Sequence, residues 1–193
     1  MSNYHLIVYG ATSFVGQLLT RYLFERHGAQ GDFRWAIAGR SQSKLATLRS
    51  SLGSAAQSLP IVLADAADEA ALMAMCQQTK VVVSTVGPYA LYGSPLVKVC
   101  AHSGTDYCDL TGEPQWIAKM IDAHQAAAQA SGARIVHCCG FDSVPSDMGT
   151  YYLQQQAQQQ QTQQSQQQAQ QQAQQLAQQL AQSMQQRNQQ QTQ

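Results

Sequence analysis

The chain has 193 residues, 44% of them hydrophobic, which is enough for one large domain or two small ones. Eleven Lys and Arg balance eleven Asp and Glu with no basic run, so nothing points to a nucleic-acid or anionic-membrane surface as partner. The opening MSNYHLIVYG lacks the regions of a secretory signal, and no apolar run reaches the roughly 18 residues of a membrane span, so a cytoplasmic protein is expected.

The composition changes after Leu153: from Gln154 to Gln193, 26 of 40 residues are Gln. A globular domain is therefore expected over residues 1–153 and a low-complexity tail over 154–193. Five cysteines, odd in number and without a C-x-x-C pair, indicate neither a disulfide framework nor a zinc site and read as reduced, buried small hydrophobes.

The first strand is expected at His5 to Tyr9, followed by GATSFVG and a helix with an apolar stripe of Phe14, Val15, Leu18, Leu19, Tyr22 and Leu23. In the loop, Gly10 permits a tight turn and Gly16 lets the helix approach the strand, while the first-turn N–H groups around Ala11, Thr12, Ser13, Phe14 and Val15 form an anion site for a pyrophosphate. Ser13 stands where a third glycine would give closest backbone approach, and its hydroxyl is free to donate to a phosphate oxygen instead. The second strand, Phe33 to Ala38, ends in AGRSQSKL with no acidic residue to accept a ribose 2′-hydroxyl. Arg40, Ser41 and Lys44 there suit a 2′-phosphate, which favours NADP over NAD, and Ser41 also suits the cap of a helix carrying Leu45 and Leu48.

A third strand at Ile61 to Ala64 leads to Asp65, which borders an adenine edge or caps a helix. Asp68 is the other candidate cap of that helix, which presents Leu72 and Cys76. The fourth strand, Val81 to Thr85, runs into STVGPYALYG, where Thr85, Val86 and the Gly87-Pro88 turn would border a nicotinamide and Tyr89 and Tyr92 line a pocket or pack. Ser94 and Pro95 open the next helix. A weaker strand at Tyr107 to Leu110 begins DYCDLTGE, whose Asp109 and Glu113, with Tyr89, are candidates for handling a proton or orienting substrate; helix capping is the alternative for the carboxylates.

A helix carrying Trp116, Ile117, Met120 and Ile121 precedes the last strand, Arg134 to Cys138. GFDSVPSDMG follows, either a loop closing over the cofactor with Asp142 as a further catalytic candidate, or a helix start capped by Ser143 or Ser146. His102, His124 and His137 have no metal-like spacing, and His137 reads as a core residue. In the tail, Ala169, Ala173, Leu176, Ala177, Leu180, Ala181 and Met184 recur at three- and four-residue steps, as in a weak amphipathic or self-associating helix; the small area of an Ala-rich stripe favours disorder.

Six strands alternating with helices specify an α/β, doubly wound Rossmann-type parallel sheet in the order 3-2-1-4-5-6, with helices on both faces and a helical or disordered tail. The segments VYGATSFVG, AGRSQSKL, VVVSTVGPYALYGSPLVKVCAHSGTDYCDLTGE and CCGFDSVPSDMG together resemble the NADP-binding part of saccharopine dehydrogenase-like oxidoreductases, in particular the group that includes trans-acting enoyl reductases. The resemblance spans about Tyr4 to Leu153 and implies hydride transfer between NADP(H) and a small or lipid-like substrate, with a second α/β domain that shapes the substrate site and often a homo-oligomer contact. The chain departs from that pattern after GFDSVPSDMGTYYL, where it becomes Gln-rich. A nucleotide-holding interaction module without turnover is the alternative expectation.

Overall fold

Short runs of β-branched and aromatic residues form six parallel strands: β1 (Tyr4–Tyr9), β2 (Trp35–Gly39), β3 (Ile61–Leu63), β4 (Thr79–Ser84), β5 (Asp106–Asp109) and β6 (Ile135–Val136). They appear in a computed structural model that describes residues 3–191, with side chains as far as 184; residues 192 and 193 of the Gln-rich segment lie outside the described residues. The strand order is β3-β2-β1-β4-β5-β6, the Rossmann order expected from the alternation of strands and helices. Strand ends differ from the expectation by up to two residues: β2 begins at Trp35 rather than Phe33, and β6 is only two residues long.

The connecting helices are α1 (Phe14–His27), α2 (Gln42–Ser51), α3 (Glu69–Cys76), α4 (Tyr89–Tyr92), α5 (Ser94–Ser103) and α6 (Pro114–Ser131). Ser41 caps α2 by accepting the Lys44 N–H, and Asp68 caps α3 by accepting that of Ala71. Asp65 closes its own turn on the Ala67 N–H instead of capping α3.

Alternate residues along each strand feed two cores. Ile7, Tyr9, Ala36, Ala38, Val82 and Tyr107 pack with α3, α5 and α6, while Val8, Trp35 and Ile37 pack with α1 and α2. The register places Val8, Val83, Cys108 and Val136 in one row across the α1 side of the sheet. Burial falls along that row from 0% exposure at Val8, through half-buried Val83 and Cys108, to 53% at Val136.

Helix α1 buries only one edge of its apolar stripe, with Leu23 buried and Leu19 half-buried against the core that α1 shares with α2. Phe14 (79% exposed), Leu18 and Tyr22 point outward, and the buried positions are Gly16, Thr20 and Leu23. The cause is distance: a Cβ on Gly16 would lie 2.2 Å from the Gly10 carbonyl oxygen, so the face toward the loop admits only small side chains in its first turns. The cysteines divide similarly, with Cys76 and Cys100 buried but Cys139 exposed, so the expectation that all are core residues does not hold.

Residues Met1–Val144 form one compact unit and Pro145–Gln193 another. A long helix, α7 (Val144–Gln191), begins at that boundary, with Pro145 in its first turn where a missing N–H costs nothing. Gln and Ala are adequate helix formers and no Gly or Pro follows Gly149, so the segment is helical rather than disordered. Leu176, Leu180 and Met184 on it are all more than half exposed.

Candidate functional site

The chain leaves β1, turns at Gly10 and enters α1 at the point where strand order reverses, the position of ligand crevices in open α/β sheets. Gly10 has φ +82°, and a Cβ there would meet Val86 Cγ2 at 2.5 Å, so both the backbone angle and the space demand glycine. Gly10 and Gly16 thus serve the turn and the close helix approach expected of them.

Ser13 does something other than wait for a phosphate. Its Oγ accepts the Gly16 N–H at 2.9 Å as the α1 cap and donates to Thr85 Oγ1 at 3.0 Å. Thr85 Oγ1 in turn donates to the Gly10 carbonyl at 2.9 Å, and its N–H to that of Tyr9 at 2.9 Å. The hydroxyl expected to face a ligand is therefore engaged in joining the loops after β1 and β4. What remains open toward an anion is backbone: among the described residues the N–H groups of Thr12, Phe14 and Val15 have no acceptor.

Of these three residues, Thr12 lines a cleft of about 580 Å³. Of the expected cofactor residues, Gly10, Thr12, Ser13, Arg40, Asp65, Thr85, Val86 and Gly87 line it, joined by Tyr92 and by Leu91, which the sequence did not single out. Ala11 is fully buried, Gly16 packs against the loop, and Phe14, Val15, Ser41 and Pro88 are not among the lining residues. Lys44 lines a separate cleft between α1 and α2 with Arg21 and Thr47, and Thr12 lines both clefts. Arg40 is exposed at the end of β2 and has no ion-pair partner among the described residues. Tyr9 forms the back of the cleft; burial first, then the charge of Asp65, pushes its hydroxyl up to about 12, with Arg40 opposing.

The proposed proton-handling residues come together, but with their polar atoms already occupied. Glu113 accepts the N–H groups of Tyr89 and Ala90 at 2.7 and 2.9 Å and so holds the start of α4. The Tyr89 hydroxyl donates to the Ser84 carbonyl at 2.9 Å, and burial pushes its pKa up to about 12. Asp109 is fully buried and receives the Tyr107 hydroxyl, the N–H groups of Thr111 and Cys138, and Nδ1 of His137 at 2.7 Å. His137 is thus not a plain core residue; its pairing with Asp109 follows from the register Cys108↔Val136, which sets the next two residues side by side. Asp142 sits exposed in the turn before α7 and does not line the glycine-loop cleft.

A glycine cradle that any Cβ would fill, unpaired amides at a helix start and a cation at the end of β2 together fit a dinucleotide. The fold and site define a Rossmann-type nucleotide-binding domain. The chain matches the family described as "Saccharopine dehydrogenase NADP binding domain" over residues 6–136, and it belongs to that family. It is 51% identical over 154 residues to the "Putative trans-acting enoyl reductase" of Mycobacterium tuberculosis, a match covering 80% of this chain and 36% of that protein. It is 46% identical over 153 residues to the trans-acting enoyl reductase of Mycobacterium leprae, covering 79% and 36% respectively. The match thus spans little more than a third of these relatives. Among solved structures, apo saccharopine dehydrogenase (L-Glu forming) from Saccharomyces cerevisiae superposes with a TM-score of 0.56 at 17% identity, covering 72% of this chain and 28% of that one, which bears on the fold alone. No helix among the described residues is long and apolar enough to cross a membrane.

Proposed function

We propose that this chain binds NADP(H) in preference to NAD(H), and that it is the cofactor-binding part of an oxidoreductase transferring hydride between NADP(H) and a small or lipid-like substrate. The observation that carries the preference is Arg40, an unpaired guanidinium at the end of β2 where an NAD site has a carboxylate. Gly10 and the N–H groups of Thr12, Phe14 and Val15 take the pyrophosphate, Arg40 with Ser41 takes the 2′-phosphate, and Thr85, Val86 and Gly87 border the nicotinamide half. When bound, the cofactor supplies the hydride. The names of the relatives support reduction of an enoyl carbon–carbon double bond as the reaction class.

A second reading, a module that holds NADP without turnover, draws on the geometry of Tyr89, Asp109 and Glu113, whose polar atoms are committed to the protein itself. Titration with NADPH and NADH, followed by tryptophan fluorescence, tests the cofactor reading. NADPH should bind at least roughly tenfold tighter than NADH, and Arg40→Ala should erase the difference, as loss of one charged phosphate contact implies. Equal affinities in the unaltered chain would overturn the NADP preference. Consumption of NADPH with an enoyl substrate would then exclude the module reading.

A further inference from the structure

A second cleft, of about 630 Å³, lies between α6 and the edge strand β6 and shares no lining residue with the glycine-loop cleft. Its wall is apolar: Val97 of α5, Ile117 and Met120 of α6, and Ile135 of β6. Two imidazoles, His124 and His137, and the amides of Gln125 and Gln129 interrupt that wall.

The side chain of His137 is only 9% exposed, and its ring is fixed from three directions. Asp109 Oδ2 holds Nδ1 at 2.7 Å, and Trp116 and Tyr107 meet the ring edge to face with centroids 5.1 and 5.9 Å away. The buried Asp109 carboxylate is an acceptor only, so the proton between the two groups belongs to Nδ1. In the neutral ring Nε2 is therefore a lone-pair acceptor, and among the described residues nothing donates to it. Nor is it a sealed orphan, since it is absent from the buried polar atoms that lack partners, whereas Nδ1 of His124 on the same wall is one of them. Burial, aided by the charges of His102 and Lys98, lowers the His124 pKa and so favours its neutral form. No group of three or more metal-ligating side chains occurs among the described residues, so the pair of imidazoles does not make a metal site.

We propose that this cleft binds a neutral aliphatic alcohol, whose hydroxyl donates to Nε2 of His137 and whose hydrocarbon body lies on Ile117, Met120 and Ile135. A largely apolar wall with a few polar groups, of which the His137 ring is the one held in place by a buried carboxylate, is the usual composition of a small-molecule site, and the volume falls within the common range. A carboxylate has no hydrogen to donate to an Nε2 lone pair and is disfavoured. The site is independent of the glycine loop, so cofactor binding provides a separate control.

The test titrates the full 193-residue chain with n-hexanol, hexyl methyl ether and hexanoate, by calorimetry and by fluorescence of Trp116. Saturable one-to-one binding of n-hexanol is expected, roughly tenfold tighter than that of the ether, which keeps the hydrocarbon but lacks the donor, and tighter than that of hexanoate by at least as much. His137→Phe should erase the preference for alcohol over ether while leaving NADPH binding intact, a change in selectivity that a merely structural role would not produce. Ala133→Trp, which puts an indole at a half-buried lining position, should abolish binding of all three and serves if the first variant fails to fold. No saturable binding of n-hexanol, hexanoate binding as tightly as the alcohol, or an alcohol preference that survives His137→Phe would each overturn the proposal.

Discussion

Gly16 has the least room for change of any residue in the glycine loop. A methyl group there would stand 2.2 Å from the Gly10 carbonyl and 2.8 Å from Ala11 Cα, both backbone atoms with no means of moving aside. Gly16→Ala should cost about 1–3 kcal/mol, read as a lower urea midpoint, and should weaken NADPH binding by displacing α1. Glu113→Ala strands the N–H groups of Tyr89 and Ala90, and a loss of about 1.5–3 kcal/mol is expected from the two charge-assisted bonds together. Tyr9 and Tyr89 contribute to the alkaline limit, along with buried Tyr107 and half-buried Cys108, which burial also pushes up. Tyr9 and Tyr89 hold their protons to about pH 12 in the folded chain against about 10 when unfolded, so their contribution is complete below pH 10 and is lost as pH rises through 12. Urea midpoints measured across that window should fall steadily, and less steeply in Tyr89→Phe. Gly10 and Gly16 were legible in the sequence because each answers a local demand, of φ or of space. The sequence did not reveal Asp109 with His137, because residues 28 apart become neighbours only through the β5–β6 register.

Helix α1 shows where pattern reading fails. A stripe of large apolar side chains ordinarily marks the buried face, but at Gly16 the loop approaches too closely for any side chain, and only the Leu19 and Leu23 edge of the stripe packs inward. The informative spacing was Gly16, Thr20, Leu23: small, small, then large as the helix diverges from the loop. Leu18→Ser and Tyr22→Ser should therefore change stability by no more than about 0.5 kcal/mol, whereas Leu23→Ala should cost about 2–5 kcal/mol, all measured by denaturant unfolding. Elements with ordinary caps were easier, since Ser41 and Asp68 start α2 and α3 as their side chains suggest. The short β6 was overextended because its apolar run continues into His137 and Cys138, where Cys138 turns to φ +61° and ends the ladder.

At the scale of the molecule, the sheet is covered unevenly. The row from Val8 to Val136 passes from full burial to more than half exposure, and the outward face of α1 lies on the same side of the sheet. The relatives are nearly three times as long as the matched stretch. We expect the compact unit ending at Val144 to fold without α7, so a chain stopped at Leu153 should keep its NADPH affinity and melt within about 2 °C of the longer one, measured by calorimetry. The hydroxyl chain from Ser13 through Thr85 to Gly10 crosses between the two halves of the sheet at the crevice. A dinucleotide arriving there meets two loops whose freedom was surrendered during folding, so the backbone around Gly10 and Thr85 forfeits little further entropy.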